Sequence, residues 1–264
     1  MDFMENIRQG VRNLVGWNSL PYRLASATLN NLSILSKEGI GTLLTLNKLK
    51  RSPISNPISI EFRSLDHPLL LRPGTSDVSV VINNVIREEY GAFQPRHDPA
   101  TMIDAGAYIG DTSAYFLSRF PKLECIALEP NPESFELASI NLASYKDRAR
   151  LLPKALSATG ETVYFSGKEL GARIDNSGKI EVEAITISKL LDFFPEKRVN
   201  ILKMDIEGAE DEIFKNKPEQ WLNKVDNIII ETHGPEITKN VLSTLEENGW
   251  SYRQVRGLYF CQPV

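Results

Sequence analysis

The run MIDAGAYIGDT, residues 102–112, sets an acid at the end of a short apolar stretch, then two glycines, a second acid and the start of a helical pattern. In an open α/β sheet, ligands bind at the carboxyl ends of the strands near a topological switch point. Asp104 would end a first strand there. Gly106 and Gly110 would let the backbone turn tightly and come close to a ligand before a helix begins at Asp111-Thr112. A diphosphate on that helix N-terminus would be repelled by the two flanking carboxylates, Asp104 and Asp111, so a ligand with positive charge and hydrogen-bond donors is expected instead. Glu129 ends the next apolar run, where a carboxylate that accepts from two ribose hydroxyls sits after a second strand. The pair describes an adenosine with a cationic amino-acid tail, S-adenosylmethionine, with Asp104 near its ammonium. A helix cap at Asp104 and a solvated strand end at Glu129 are the plain alternatives. A nicotinamide enzyme would need G-x-G-x-x-G, which DAGAYIGD lacks.

The elements that must position these residues are legible in the hydrophobic pattern. After His97, apolar strand candidates (Thr101 to Asp104, Leu123 to Leu128, Ala149 to Lys154, the Thr162 to Phe165 and Glu181 to Ile185 pair, Ile201 to Met204, Asn227 to Glu231, Tyr259 to Gln262) alternate with helical patterns at 112–120, 132–145, 186–194, 208–215 and 235–248. That alternation predicts an α/β fold, a mostly parallel sheet with helices on both faces, and YRQV with LYFCQ as an antiparallel edge. Residues 1–55 carry apolar positions at helical spacing, broken near Pro21, and are read as an N-terminal helical extension of two or three helices with a basic run at 46–51. The main domain is expected over 56–264. Insertions at about 56–98 and 160–180 would build a substrate pocket. Within the first, ISIEF and LLLR look like a hairpin, and a cap and helix follow PGTSDV.

With 264 residues, 42% of them hydrophobic, the chain can bury a large core; a net charge of −4 gives no global field for nucleic acid or anionic membrane. Two cysteines, no apolar leader and no run of 18 apolar residues point to a cytoplasmic chain with no transmembrane segment.

The segments MIDAGAYIGDTS, IALEPNPESFELASINL, PKALS, ILKMDIEGAEDEIF and IIIETHG, in that order, resemble the FkbM family of S-adenosylmethionine-dependent methyltransferases. The resemblance covers roughly residues 70 to 235 and implies a Rossmann-like class I methyltransferase that moves a methyl group to a hydroxyl of a sugar, glycan, natural product or other small metabolite. Carried onto this chain, it implies that Asp104, Gly106, Ala107 and Gly110 form the loop around the methionine portion and that Tyr108, Asp111 and Thr112 also bind the cofactor. Glu129 would hold the ribose, Pro130 and Asn131 shape the adenine edge, and Ala155 and Leu156 meet adenine through backbone groups.

In methyl transfer from a sulfonium, the acceptor oxygen must lie in line with the departing sulfur, and an alcohol must lose its proton. The candidates are Asp205, which also borders the cofactor, with Glu207, Glu231 and His233. One of them would act as general base, or Asp205 and Glu231 would hold a divalent cation such as Mg2+ that polarises the hydroxyl. Glu210 is read as a capping or packing residue. Asp77, Tyr90 and Arg173 are expected to contact the substrate, the last from a loop at 166–179 with features of a closing insertion. Homo-oligomerisation through the N-terminal helices is a further expectation. An RNA or other macromolecule methyltransferase and a non-catalytic S-adenosylmethionine-binding module are the alternatives. Against the first stand the acidic balance and the absence of a basic-aromatic run; no nucleic-acid partner is expected.

Overall fold

A computed structural model describes residues 3–16, 19–53, 56–166, 173–174 and 180–264. Its contacts divide the chain into two compact units, Met1–Glu88 and Glu89–Val264.

In the first unit, α1 (Phe3–Val15), α2 (Leu20–Lys37) and α3 (Ile40–Arg51) precede a short antiparallel pair, β1 (Ile58–Ile60) and β2 (Leu69–Leu71), and α4 (Asp77–Val81). The Ser19 hydroxyl caps α2 by accepting from the Tyr22 N–H, and Gly39, at φ +90°, separates α2 from α3. Apolar Leu29 and Ile34 of α2, Leu46 and Leu49 of α3, and Leu69 and Leu71 of β2 are buried. α4 runs into one π-helical turn, Ile82–Ile86, closed by the Arg87 N–H donating to the Ile82 carbonyl. The unit extends past the expected boundary at 55 because α4 packs on α3, the π turn packs on α2, and the Gly74 N–H donates to the Leu49 carbonyl. These are contacts between segments distant in sequence, which a hydrophobic pattern does not encode.

The second unit is built on β3 (Thr101–Ala105), α5 (Asp111–Arg119), β4 (Glu124–Leu128), α6 (Pro132–Leu142), β5 (Ala149–Leu152), β6 (Ala155–Leu156), β7 (Val163–Ser166), β8 (Arg173–Ile174), β9 (Ile180–Val182), β10 (Ala184–Ile185), α7 (Ile187–Leu191), β11 (Ile201–Met204), α8 (Glu210–Lys215), β12 (Ile228–Ile230), α9 (Pro235–Glu247), β13 (Trp250–Val255) and β14 (Leu258–Pro263). The main sheet has the order β13-β14-β12-β11-β3-β4-β5. The five strands from β12 to the edge strand β5 are parallel, and β14 and β13 close the other edge as an antiparallel pair. This is the mostly parallel α/β sheet expected from the alternating pattern, in the Rossmann-like form that the family resemblance implies. The chain runs outward from β3 to β5, then returns to lay β11 on the other side of β3. Because crossovers keep one hand, that reversal puts successive helices on opposite faces and opens a crevice between β3 and β11. One expected strand is broken: Pro153, with no N–H to give a ladder, ends β5, and β6 pairs instead with β10. The expected loop at 166–179 lies outside the described residues except for Ser166 and β8, which pairs with β7.

Strand parity decides which residues meet. Ile103, Ala105, Leu202 and Met204 enter the apolar core with α8 and α9 residues. Asp104 and Lys203, one step out of phase and direct partners in the β3–β11 register, turn to the opposite face.

Gly106 follows β3 at φ +83°, and a Cβ built on it would collide with the Asp205 carbonyl oxygen. Gly208, at φ +106°, has open space around that position. Both would suffer from alanine's aversion to positive φ, about 1–2 kcal/mol. Gly106→Ala should therefore cost at least ~2 kcal/mol more than Gly208→Ala in denaturant unfolding, the excess measuring the clash at the crevice. Equal losses would mean that the close approach of the loop to β11 is not enforced.

Candidate active site

Because β3, β4, β5, β11 and β12 are parallel, the residues after their last members all emerge at one edge. Glu129, Asp205 and Glu231, which follow β4, β11 and β12, are brought there by topology, with Asp104 one residue inside the end of β3.

The floor of the crevice is a buried ion pair. Asp104 has no exposed surface and Lys203 is 3% exposed, with Asp104 Oδ1 3.1 Å from Lys203 Nζ. The Ser113 hydroxyl on α5 donates to Asp104 Oδ2 at 2.6 Å, and Lys203 Nζ donates to the Gly106 carbonyl at 2.7 Å. Burial alone would pull the lysine's pKa down, but the Asp104 carboxylate, followed by Tyr90 and Asp205, outweighs it, and Lys203 is held as an ammonium. Asp104 is thus engaged on both oxygens beneath the loop. The sequence reading missed Lys203 and Ser113. A lysine inside ILKM was the available signal, since a charge in a strand covered on both faces needs a partner.

Above this pair the 106–110 loop is pinned to β4. The N–H groups of Gly106 and Ala107 donate to the Leu128 carbonyl, and the Tyr108 N–H donates to Glu129 Oε2 at 2.7 Å. Tyr108 adopts φ +49° to do so. The other Glu129 oxygen accepts from the Asn131 N–H at 2.8 Å, while the Asn131 side chain caps α6 through the Glu133 and Ser134 N–H groups. Each carboxylate oxygen of Glu129 therefore keeps acceptor capacity for a further donor. Burial raises the Glu129 carboxyl to about 7, against the two backbone N–H groups that favour its charged form. Pro130 is partly exposed beside it; Asp111 and Thr112 open α5 and are buried. Ala155 and Leu156 are buried in β6, where the Ala155 N–H is taken by the Glu183 carbonyl. Gly110 turns at φ +80°, with Leu142 where its Cβ would be.

The opposite wall is an imidazole ringed by acids. His233 Nδ1 lies 2.8 Å from Glu210 Oε1, and its Nε2 lies 3.5 Å from Glu207 Oε2 and 3.7 Å from Asp205 Oδ1. Glu210 has no exposed surface, and its Oε1 also accepts from the Gly208 N–H. It is more than a helix cap, since it fixes the histidine ring and leaves Nε2 facing the crevice. The Glu210 hydrogen bond, then its charge and those of Glu207 and Asp205, raise His233 to about 9 against the effect of burial. Burial, with Asp205 next, raises Glu231, and burial raises Glu207. Glu207 and Gly208 both turn at positive φ, so α8 begins at Glu210 rather than at 208. Asp205, Glu231 and His233 each offer one ligand atom, all within 4.8 Å of one another.

Of the residues expected at the substrate, Tyr90 is buried with its ring edge-on to Phe116. Its phenol, raised well above the usual range chiefly by burial, lies in electrostatic reach of Lys203, Asp205 and Asp104. Asp77, in the first unit, has no exposed surface: its oxygens accept from the Arg72 guanidinium at 2.8 and 3.0 Å and from the Arg72 N–H. The Arg173 side chain lies outside the described residues.

The model for the methyltransferase FkbM domain matches residues 104–252, more than half of the chain. The methyltransferase sdnD of Sordaria araneosa is 28% identical over 194 residues, 59% of this chain and 75% of that protein. The hexuronic acid methyltransferase AglP of Haloferax volcanii is 27% identical over 148 residues, 54% of this chain and 60% of that one. The solved structure of methyltransferase FkbM from Methylobacillus flagellatus KT is similar with a TM-score of 0.44 at 17% identity, over 69% of this chain and 53% of that chain. A parallel sheet with its carboxylates at the crevice and a family match running from Asp104 to Tyr252 in β13 lead to one assignment: the chain belongs to the FkbM methyltransferase family.

Proposed function

We propose that the chain is an S-adenosylmethionine-dependent O-methyltransferase acting on a hydroxyl of a small molecule such as a sugar, glycan or natural product. The observation that carries this reading is the convergence of Asp205, Glu231 and His233 beside the Gly106 loop, across the crevice from Glu129. The donor set fits the cofactor. Glu129 retains acceptor capacity for a ribose diol, and the acidic wall suits a cationic sulfonium and ammonium, whereas a phosphate would meet like charge. When bound, S-adenosylmethionine supplies an electrophilic methyl group. Glu129 holds the ribose side of the site, and the 106–112 loop, with Tyr108, Gly110, Asp111 and Thr112, encloses the amino-acid end. Pro130, Asn131, Ala155 and Leu156 border the adenine.

The acceptor hydroxyl binds between Tyr90 and the Asp205–Glu231–His233 wall. Bound S-adenosylmethionine would offer its methyl group to that oxygen, and a carboxylate of the wall would take up the hydroxyl proton. Glu231 is the better base, because burial makes its ionised form more basic than an exposed acid's. His233, held by Glu210 as an imidazolium, steadies the ionised acids and donates from Nε2. A second reading, favoured by the 4.8 Å grouping, has Asp205, Glu231 and the Nε2 of His233 hold a divalent cation, with Glu210 orienting the ring from behind. A rate unchanged by chelation would reject that reading and leave the carboxylate base. AglP's description as a hexuronic acid methyltransferase supports a sugar acceptor here, and Arg173 is the side chain proposed to meet an anionic group on it.

Turnover is to be followed as S-adenosylhomocysteine release over a panel of hydroxylated sugars and natural products. Glu231→Gln and His233→Asn should lower kcat on the order of 10²–10⁴-fold while cofactor affinity stays within a few fold. Wild-type binding without turnover on any acceptor would favour a binding module instead. Cofactor affinity should level off by about pH 8 and weaken as Glu129 takes up a proton below about 7, by up to roughly tenfold per unit. Glu129→Gln should bind about 30-fold more weakly and lose that pH dependence. A wild-type affinity that does not change between pH 8 and pH 5 would remove Glu129 from the ribose.

A further inference from the structure

We infer that the N-terminal helices form a docking face for an anionic lipid surface. Of the large hydrophobic side chains exposed among the described residues, most lie between Ile7 and Leu44. In α1, Ile7 and Leu14 lie two turns apart on one stripe and are exposed, Leu14 at 85%, while Arg8 is buried and its Nη2 donates to Asn30 Oδ1 of α2 at 2.8 Å. In α2 the buried Leu29, Ser33 and Ile34 occupy one side, and Leu20, Leu24 and Leu35 occupy the other, with Leu20 66% exposed. In α3, Ile40 and Leu44 sit one turn apart, Leu44 64% exposed, opposite buried Leu46 and Leu49. A soluble partner-free helix directs such a stripe into its own core.

Charge selects the occupant. Neither α2 nor α3 contains an acidic residue, and Arg12, Arg23, Lys48 and Arg51 are exposed around the apolar stripes. Residues 1–53 hold seven basic and three acidic side chains, although the whole chain is at −4. Apolar side chains flanked by cations match a lipid–water interface with anionic headgroups. Packing this face on the same face of a second copy would oppose like charges. Among the described residues no helix is long and apolar enough to cross a membrane, so the geometry is one of lying on the surface. Such docking would hold the catalytic unit beside acceptors that are themselves membrane-anchored.

The test is flotation of the full chain with vesicles of phosphatidylcholine alone or with phosphatidylglycerol as about a third of the lipid, at low and high salt. The chain should float with the anionic vesicles, not with the neutral ones, and high salt should release it. Leu20→Glu/Leu24→Glu and, separately, Arg12→Glu/Arg23→Glu should each cut the bound fraction at least about tenfold, with the circular dichroism spectrum and cofactor affinity of wild type. Absence of wild-type flotation would overturn the inference. So would equal binding to neutral vesicles, or a dimer that the leucine variant splits while no variant or wild-type protein floats, which would give the face to a second copy. Cofactor binding is read separately, so failure here leaves the methyltransferase reading untouched.

Discussion

The site depends on one buried charge pair at the point where strand order reverses. Two ions without solvent cost several kcal/mol each to bury, and only mutual contact with further hydrogen bonds offsets that. Asp104 and Lys203 meet those conditions through Ser113, the Gly106 carbonyl and each other. Four segments, β3, the loop after it, α5 and β11, are tied at a single locus. The neighbouring backbone is equally constrained, since Gly106 lets the loop close onto Asp205. The crevice is held open at a fixed width by charge and by the absence of a Cβ.

That arrangement also sets the electrostatics above it. With Asp104 neutralised from below, the charge that faces the crevice comes from Glu129 on one side and from Asp205, Glu207 and Glu231 on the other. The hydrogen bond from buried Glu210 keeps the His233 ring in place and, with the neighbouring negative charge, raises its pKa. This surplus of negative charge suits a cationic ligand, and it suits the proton removal that the proposed O-methyl transfer would need.

Much of this was legible in the sequence, because parallel strands buried on both faces read as continuous apolar runs and each run ends in a visible acid or glycine. MIDAG, IALE, ILKMD and IIIE locate the strands and the crevice together. What stayed hidden depends on pairing across sequence. Lys203 looks like an interruption in a strand until β11 is laid beside β3. Glu210 looks like a helix-start acid until His233 arrives 23 residues later. Asp77 reads as an accessible acid before a helix, yet Arg72, across the turn at Pro73-Gly74, occupies it fully. The first unit runs to Glu88 because α4 and the π turn pack with α3 and α2, a tertiary preference with no local signature.

The most direct test of this account is a double-mutant cycle on Asp104→Asn and Lys203→Met, read by denaturant unfolding and by calorimetric titration of S-adenosylhomocysteine. Each single change strands a buried partner and should cost on the order of 3–5 kcal/mol along with most cofactor affinity. The double variant should regain at least ~2 kcal/mol of stability over the sum of the two losses. Losses that simply add, or single variants that bind the cofactor as wild type does, would contradict the claim that this pair holds the site together.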